Sequence, residues 1–165
     1  MSPTWQQAVA DFTRRRCALV GIGNRLRGDD AFGPMLCDRL RGRIACPVFD
    51  AGETPENMVG AVAAARPERV LLLDGVRSGN APGDIVFFPI EAVPYGGVST
   101  HGASLRMFAE FLTWRAGCEA ALLGVEPGSL AMGAPLSDEV RRSLETAADW
   151  LERLLQARAS ACAGD

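Results

Sequence analysis

The sequence predicts an α/β fold, a three-layer α/β/α sandwich around a mostly parallel five-stranded sheet. Short, wholly apolar runs ending in Gly or Asp alternate with segments of helical spacing. The runs carry no polar alternation, as expected of parallel strands buried on both faces. Pro and Gly punctuate the chain between the periodic segments.

Taken in chain order, Cys17–Gly23 (CALVGIG) reads as the first strand. Asp30–Leu40 places Phe32, Leu36 and Leu40 on one helical face. Pro47–Asp50 is a second strand. Pro55–Ala65 reads as a helix, with Thr54 as N-cap and Pro in the favoured first position. Arg69–Asp74 (RVLLLD) is the third strand. Asp84–Phe88 is a fourth, placed at an edge because Pro82 and Pro89 bound it. His101–Trp114 carries the helical stripe Leu105, Phe108, Ala109 and Leu112. Glu119–Val125 is the fifth strand. Ser137 caps a last helix whose apolar face is Val140, Leu144, Ala147, Ala148, Leu151, Leu154 and Leu155. The order β-α-β-α-β-β-α-β-α suits one domain over residues 1–165, with its core at about 17–157. Functional loops of such sheets gather beyond the carboxyl ends of the strands. Asn24–Asp30, Asp50–Glu53, Asp74–Gly79 and Glu126–Gly128 are therefore expected to be neighbours.

Bulk properties exclude several classes. A net charge of −3 gives no electrostatic case for nucleic acid or an anionic membrane. No stretch approaches the apolar length of a membrane span, and the N-terminus lacks a signal-peptide core. All 17 basic residues are Arg, which removes lysine Schiff bases, a P-loop lysine and a Ser–Lys dyad. Five cysteines without a CxxC pair argue against a disulfide framework or zinc knuckle and fit free thiols in a reducing cytoplasm.

Few residues remain to carry chemistry. Gly21-Ile22-Gly23-Asn24 begins like a dinucleotide fingerprint, but Leu26 stands where its third glycine belongs. Asp29 and Asp30 open a helix, where one carboxylate suffices as a cap and the second needs another role. Asp74 ends a buried strand, a costly place for a carboxylate unless it is paired, protonated or metal-bound. His101 is the only histidine and sits at a predicted helix start, which favours the neutral, metal-binding imidazole. Two carboxylates and one imidazole suit a divalent first-row metal with open positions. No GxSxG elbow is present, and no cysteine has an activating context in the sequence.

The chain resembles the hydrogenase maturation endopeptidases. The resemblance begins at Gly21-x-Gly23-Asn24-x-Leu26-x-Gly28-Asp29-Asp30-x-x-Gly33-Pro34 and continues through Asp50-Ala51-Gly52-Glu53-Thr54-Pro55-Glu56-Asn57. It includes Arg66-Pro67-Glu68-Arg69, Leu73-Asp74, Ala81-Pro82-Gly83-Asp84-Ile85, Thr100-His101-Gly102-x-x-Leu105 and Leu123-Gly124-Val125-Glu126-Pro127. The resemblance as a whole spans about Leu19 to Leu155. The resemblance implies a protease that removes a short C-terminal extension from the precursor of a [NiFe] hydrogenase large subunit. It assigns Asp30, Asp74 and His101 to a nickel ion, expected to be carried by the substrate rather than held as a resident cofactor. The expected partner is that precursor, and the expected state a cytoplasmic monomer. The alternative is a non-proteolytic maturation chaperone that recognises nickel and precursor. The substrate-recognition loop departs from the family pattern, with Glu53 between the usual glycine and threonine neighbours, which leaves Glu53 a candidate contact with the precursor.

Overall fold

In a computed structural model, residues 4–95 and 104–162 are described. The five strands are β1 (Cys17–Ile22), β2 (Val48–Gly52), β3 (Arg69–Gly75), β4 (Ile85–Pro89) and β5 (Glu119–Val125). They form one sheet in the order β2-β1-β3-β5-β4, parallel except for β4, which runs antiparallel to β5 at one edge. The helices are α1 (Trp5–Phe12), α2 (Phe32–Leu40), α3 (Val59–Ala64), α4 (Ser104–Ala116) and α5 (Asp138–Cys162).

Strand alternation divides the core in two. Leu19, Leu71, Leu73, Ala121 and Leu123 face α1, α2 and α5. Val20, Leu72, Val70 and Leu122 face α3 and α4. Nearly all these side chains are fully buried, and each contributes about 1.5–3 kcal/mol relative to exposure. The three-layer sandwich and its edge strand are thus as the sequence predicts.

Three local expectations change. α1 was not anticipated; a capping box holds it, with Thr4 Oγ1 accepting from Gln7 N and Gln7 Oε1 accepting from Thr4 N. Trp5 packs edge-on against Trp150, and Phe12 against Phe87 of β4. The segment expected as a helix from Pro55 is a 3-10 turn, Pro55–Met58, before α3. Thr54 makes no side-chain cap there and instead accepts a bond from Asn57 Nδ2 at 3.2 Å. The helix expected from Asp30 also begins late, after a 3-10 turn at Gly28–Ala31.

Close packing seats that turn on the sheet. A Cβ at Gly33 would lie 2.2 Å from the Leu73 carbonyl oxygen and 2.5 Å from that of Ile22. α2 therefore starts directly on the carboxyl ends of β1 and β3, which pair there through Gly21 and Leu73. Gly23 bends the chain out of β1 at φ 143°, where a Cβ would strike the Asp30 carbonyl oxygen. Both glycines fix the position of Asp30 relative to β3. Gly33→Ala is expected to destabilise the fold by about 3 kcal/mol in urea unfolding, because the obstructing atoms are backbone and cannot turn aside.

Candidate functional site

The loops at the sheet's carboxyl edge are joined by side chains. Asp29 is wholly buried and accepts four hydrogen bonds. Gly128 N and Ser129 N donate to Oδ2 at 2.8 and 2.9 Å. Ser137 donates its N–H to Oδ1 at 2.7 Å and its hydroxyl to Oδ2 at 2.9 Å. This carboxylate therefore ties the first loop to the loop after β5 and to the cap of α5. The Ser137 Oγ that donates to it also accepts from Val140 N at 3.4 Å, the expected cap.

Glu126 joins a second pair of loops. Its Oε2 accepts from Ser78 N at 2.7 Å and Ser78 Oγ at 2.8 Å, fastening the chain after β3. Arg25 joins a third. Its guanidinium forks onto Asp38 at 2.6 and 3.0 Å and reaches Asp50 Oδ2 at 2.5 Å, linking the first loop to α2 and β2. The neighbouring carboxylates, Asp38 first and then Asp50, raise the Arg25 pKa. The same pairing with Arg25 lowers that of Asp38. The four loops expected to meet do meet.

Asp30 and Asp74 are the two carboxylates that the resemblance assigns to chemistry. Asp30 is 1% exposed in the turn before α2, and its Oδ2 accepts from Asn24 N at 2.7 Å. Asp74 is fully buried one residue before the end of β3, its Oδ1 accepting from Gly75 N at 2.8 Å. β1 and β3 are adjacent, and Gly33 seats the Asp30 turn on the carbonyl of Leu73, the residue before Asp74. By alternation with Leu72 and Val76, Asp74 lies on the sheet face covered by α4. His101 lies outside the described residues, three positions before the start of α4. Among the described residues, no three His, Cys, Asp or Glu side chains gather to hold a metal ion.

Cys17, Cys37, Cys46 and Cys118 are free. Burial pushes Cys37 up to about 12, leaving it protonated at neutral pH. Cys46 donates to the sulfur of Cys17, which lowers the Cys17 pKa and raises its own. That pair lines a cavity of ≈ 400 Å³ with Arg16, Pro47 and Arg158, at the amino ends of the strands and away from the two carboxylates.

Residue types alone paired Asp29 with Asp30 and the resemblance chose Asp30; the four donors on Asp29 show the structural part it plays. It gave no structural part to Arg25 or Glu126. The signal available for Arg25 was faint, one of two Arg residues, with Arg27, in a glycine-flanked loop. Glu53 is exposed beyond β2.

Comparison with known proteins agrees with the fold. A family profile described as hydrogenase maturation protease matches residues 36–154. The Hydrogenase 3 maturation protease of Escherichia coli K12 is 30% identical over 140 residues, 81% of this chain and 87% of that one. The crystal structure of a [NiFe] hydrogenase maturation protease from Thermococcus kodakarensis superposes with a TM-score of 0.80 at 32% identity, over 90% of this chain and 98% of that one. The solution structure of an Escherichia coli endopeptidase, HycI, gives 0.73 at 28% identity, over 82% and 88%.

Two outcomes follow from the ties. Asp29→Asn turns an amide NH2 toward N–H donors and is expected to cost about 3 kcal/mol in chemical unfolding, since bonds to a buried carboxylate are strong and unmatched donors are penalised. The depressed Asp38 pKa means the folded state binds fewer protons than the unfolded state between the folded and unfolded values. The stabilisation from Asp38 is therefore present above its unfolded pKa and disappears as pH falls through the folded one. Thermal melts across the acid range should show a shallower decline in Arg25→Gln, by a small amount because both partners are about half exposed to screening solvent.

Proposed function

The chain belongs to the hydrogenase maturation protease family, and from that premise we propose that Asp30, Asp74 and His101 grip a nickel ion carried in by a hydrogenase large-subunit precursor. The enzyme is an endopeptidase that removes the precursor's C-terminal extension. The observation that carries the nickel reading is the pair of buried carboxylates at the carboxyl edge of the sheet, Asp74 near the end of β3 and Asp30 in the turn that Gly33 seats on β1 and β3. Asn24 N donates to Asp30 and Gly75 N to Asp74, which orients both carboxylates toward the edge of the sheet where the loops meet. The family profile covers Asp74 and His101, while Asp30 precedes its matched span.

Geometry then does most of the work. A cation held at one edge of the sheet brings the attached polypeptide with it, so the scissile peptide is delivered to a fixed place. Positioning of this kind lowers a barrier by up to on the order of 7 kcal/mol when alignment is near ideal. A divalent cation beside the peptide also polarises its carbonyl or acidifies a water, which completes the hydrolysis. Recognition by the metal explains how a peptidase spares precursors that have not yet received it. Glu53, exposed beyond β2, is placed in this reading among the contacts that discriminate between precursors. Both carboxylates come from one chain, which supports a monomer as the working unit. Among the described residues no helix is long and apolar enough to cross a membrane, in keeping with the cytoplasmic site of action we propose.

The reading is tested by incubating large-subunit precursor, prepared with and without nickel, with the purified protein and measuring precursor mass. Shortening is expected only with nickel. Asp30→Ala, Asp74→Ala and His101→Ala should each slow it by roughly 100-fold or more. Full cleavage by all three variants would refute the assignment, and capture without shortening would point to the non-proteolytic chaperone.

A further inference from the structure

Large exposed apolar side chains fall in two places. Met107, Phe111 and Trp114 form a stripe along the outer face of α4. Leu26 and Met132 stand at the carboxyl edge of the sheet, 67% and 68% exposed. Their loops are adjacent, because Gly133 N donates to the Leu26 carbonyl at 2.7 Å.

Their loops are built to hold them there. Asn24 Oδ1 accepts from Leu26 N at 2.8 Å, closing a turn around Leu26. Asp29 N donates to Ser129 O at 2.9 Å, and the Asp29 carboxylate fixes Gly128, Ser129 and Ser137 from the other side. Met132 lies between Ser129 and Ser137. Ala134 N donates to Ala131 O at 3.2 Å, turning the chain tightly around Met132. Two apolar side chains are thus kept in water by a stitched, hydrogen-bonded frame, although nothing in that frame needs them to be apolar. The frame is the one that carries Asp30, four residues after Leu26.

We propose that Leu26 and Met132 form an apolar rim that seats an apolar side chain of the precursor polypeptide next to the scissile bond, and so set affinity for the substrate. This rests on the peptidase reading above. The occupant follows from continuity: a polypeptide whose bound cation sits at Asp30 and Asp74 must leave that point across the loops that flank it, and the rim is on them. A metal ion alone gives strength without sequence preference; the rim adds contact with the chain itself.

The test uses a fluorophore-labelled large-subunit precursor carrying nickel. Its Kd is read by anisotropy and its processing by mass, for the wild type, Leu26→Ser, Met132→Ser, the double variant and the conservative pair Leu26→Met with Met132→Leu. Each single serine variant should weaken binding roughly ten-fold, the scale of losing one buried apolar side chain. The double variant should weaken it further while kcat at saturating precursor stays unchanged, and the conservative pair should restore wild-type affinity. Lost affinity in the double variant supports the rim even where the wild type fails to shorten the precursor. Unchanged affinity overturns it even where the wild type cleaves. Unchanged affinity together with a shift from dimer to monomer in sedimentation would assign the rim to a second copy of this chain and likewise overturn the proposal.

Discussion

The buried carboxylate of Asp29 is the constraint on which the active edge depends. Loops at the end of a parallel sheet have no ladder to hold them, and their backbone N–H groups need acceptors once water is excluded. One ion gathers three such groups and a hydroxyl from segments about a hundred residues away in sequence. Its charge also lies at the start of the long α5, where the helix dipole favours it. With Asp29 committed in this way, the next residue is held in a fixed relation to the sheet. Asp29 thus builds the edge on which the proposed site stands.

Glycine supplies what side chains cannot. Gly33 lets α2 rest on the carbonyls of β1 and β3, and Gly23 lets the chain leave β1 without striking the Asp30 backbone. Arg25 and Glu126 close the remaining gaps between loops. The edge is consequently a framework of polar ties standing on an apolar sheet, and the carboxylates proposed to bind the cation can be buried because their surroundings are already rigid.

Much of this was legible in the sequence because burial on both faces writes a continuous apolar run. CALVGI, RVLLLDG and EAALLGV each lie where expected, and β4 was recognised as an edge from its bounding prolines. Asp74 was legible because a carboxylate closing such a run is costly. Other features were hidden by competing physics. Thr54-Pro55 carries the usual signature of an α-helix start, but the chain tightens into a 3-10 turn, and the threonine hydroxyl serves Asn57. α1 is short, and its only clear signal was the Thr4–Gln7 box. The structural part of Asp29 could not be read locally, since the donors that show it come from the far end of the chain. The place of His101 lies outside the described residues.

The helix at the N-terminus has a consequence for how copies of this chain behave toward one another. β4 ends the sheet, and its Phe87 and Phe88 would offer an attractive template for strand addition by another molecule. α1 lays Phe12 against Phe87, and Arg158 of α5 holds the end of that helix through the carbonyls of Ala10 and Thr13. Pro89 withholds an amide donor from the same strand. α1 therefore covers one face of the edge strand, on the flank opposite β2, and leaves less apolar surface there for another copy to meet.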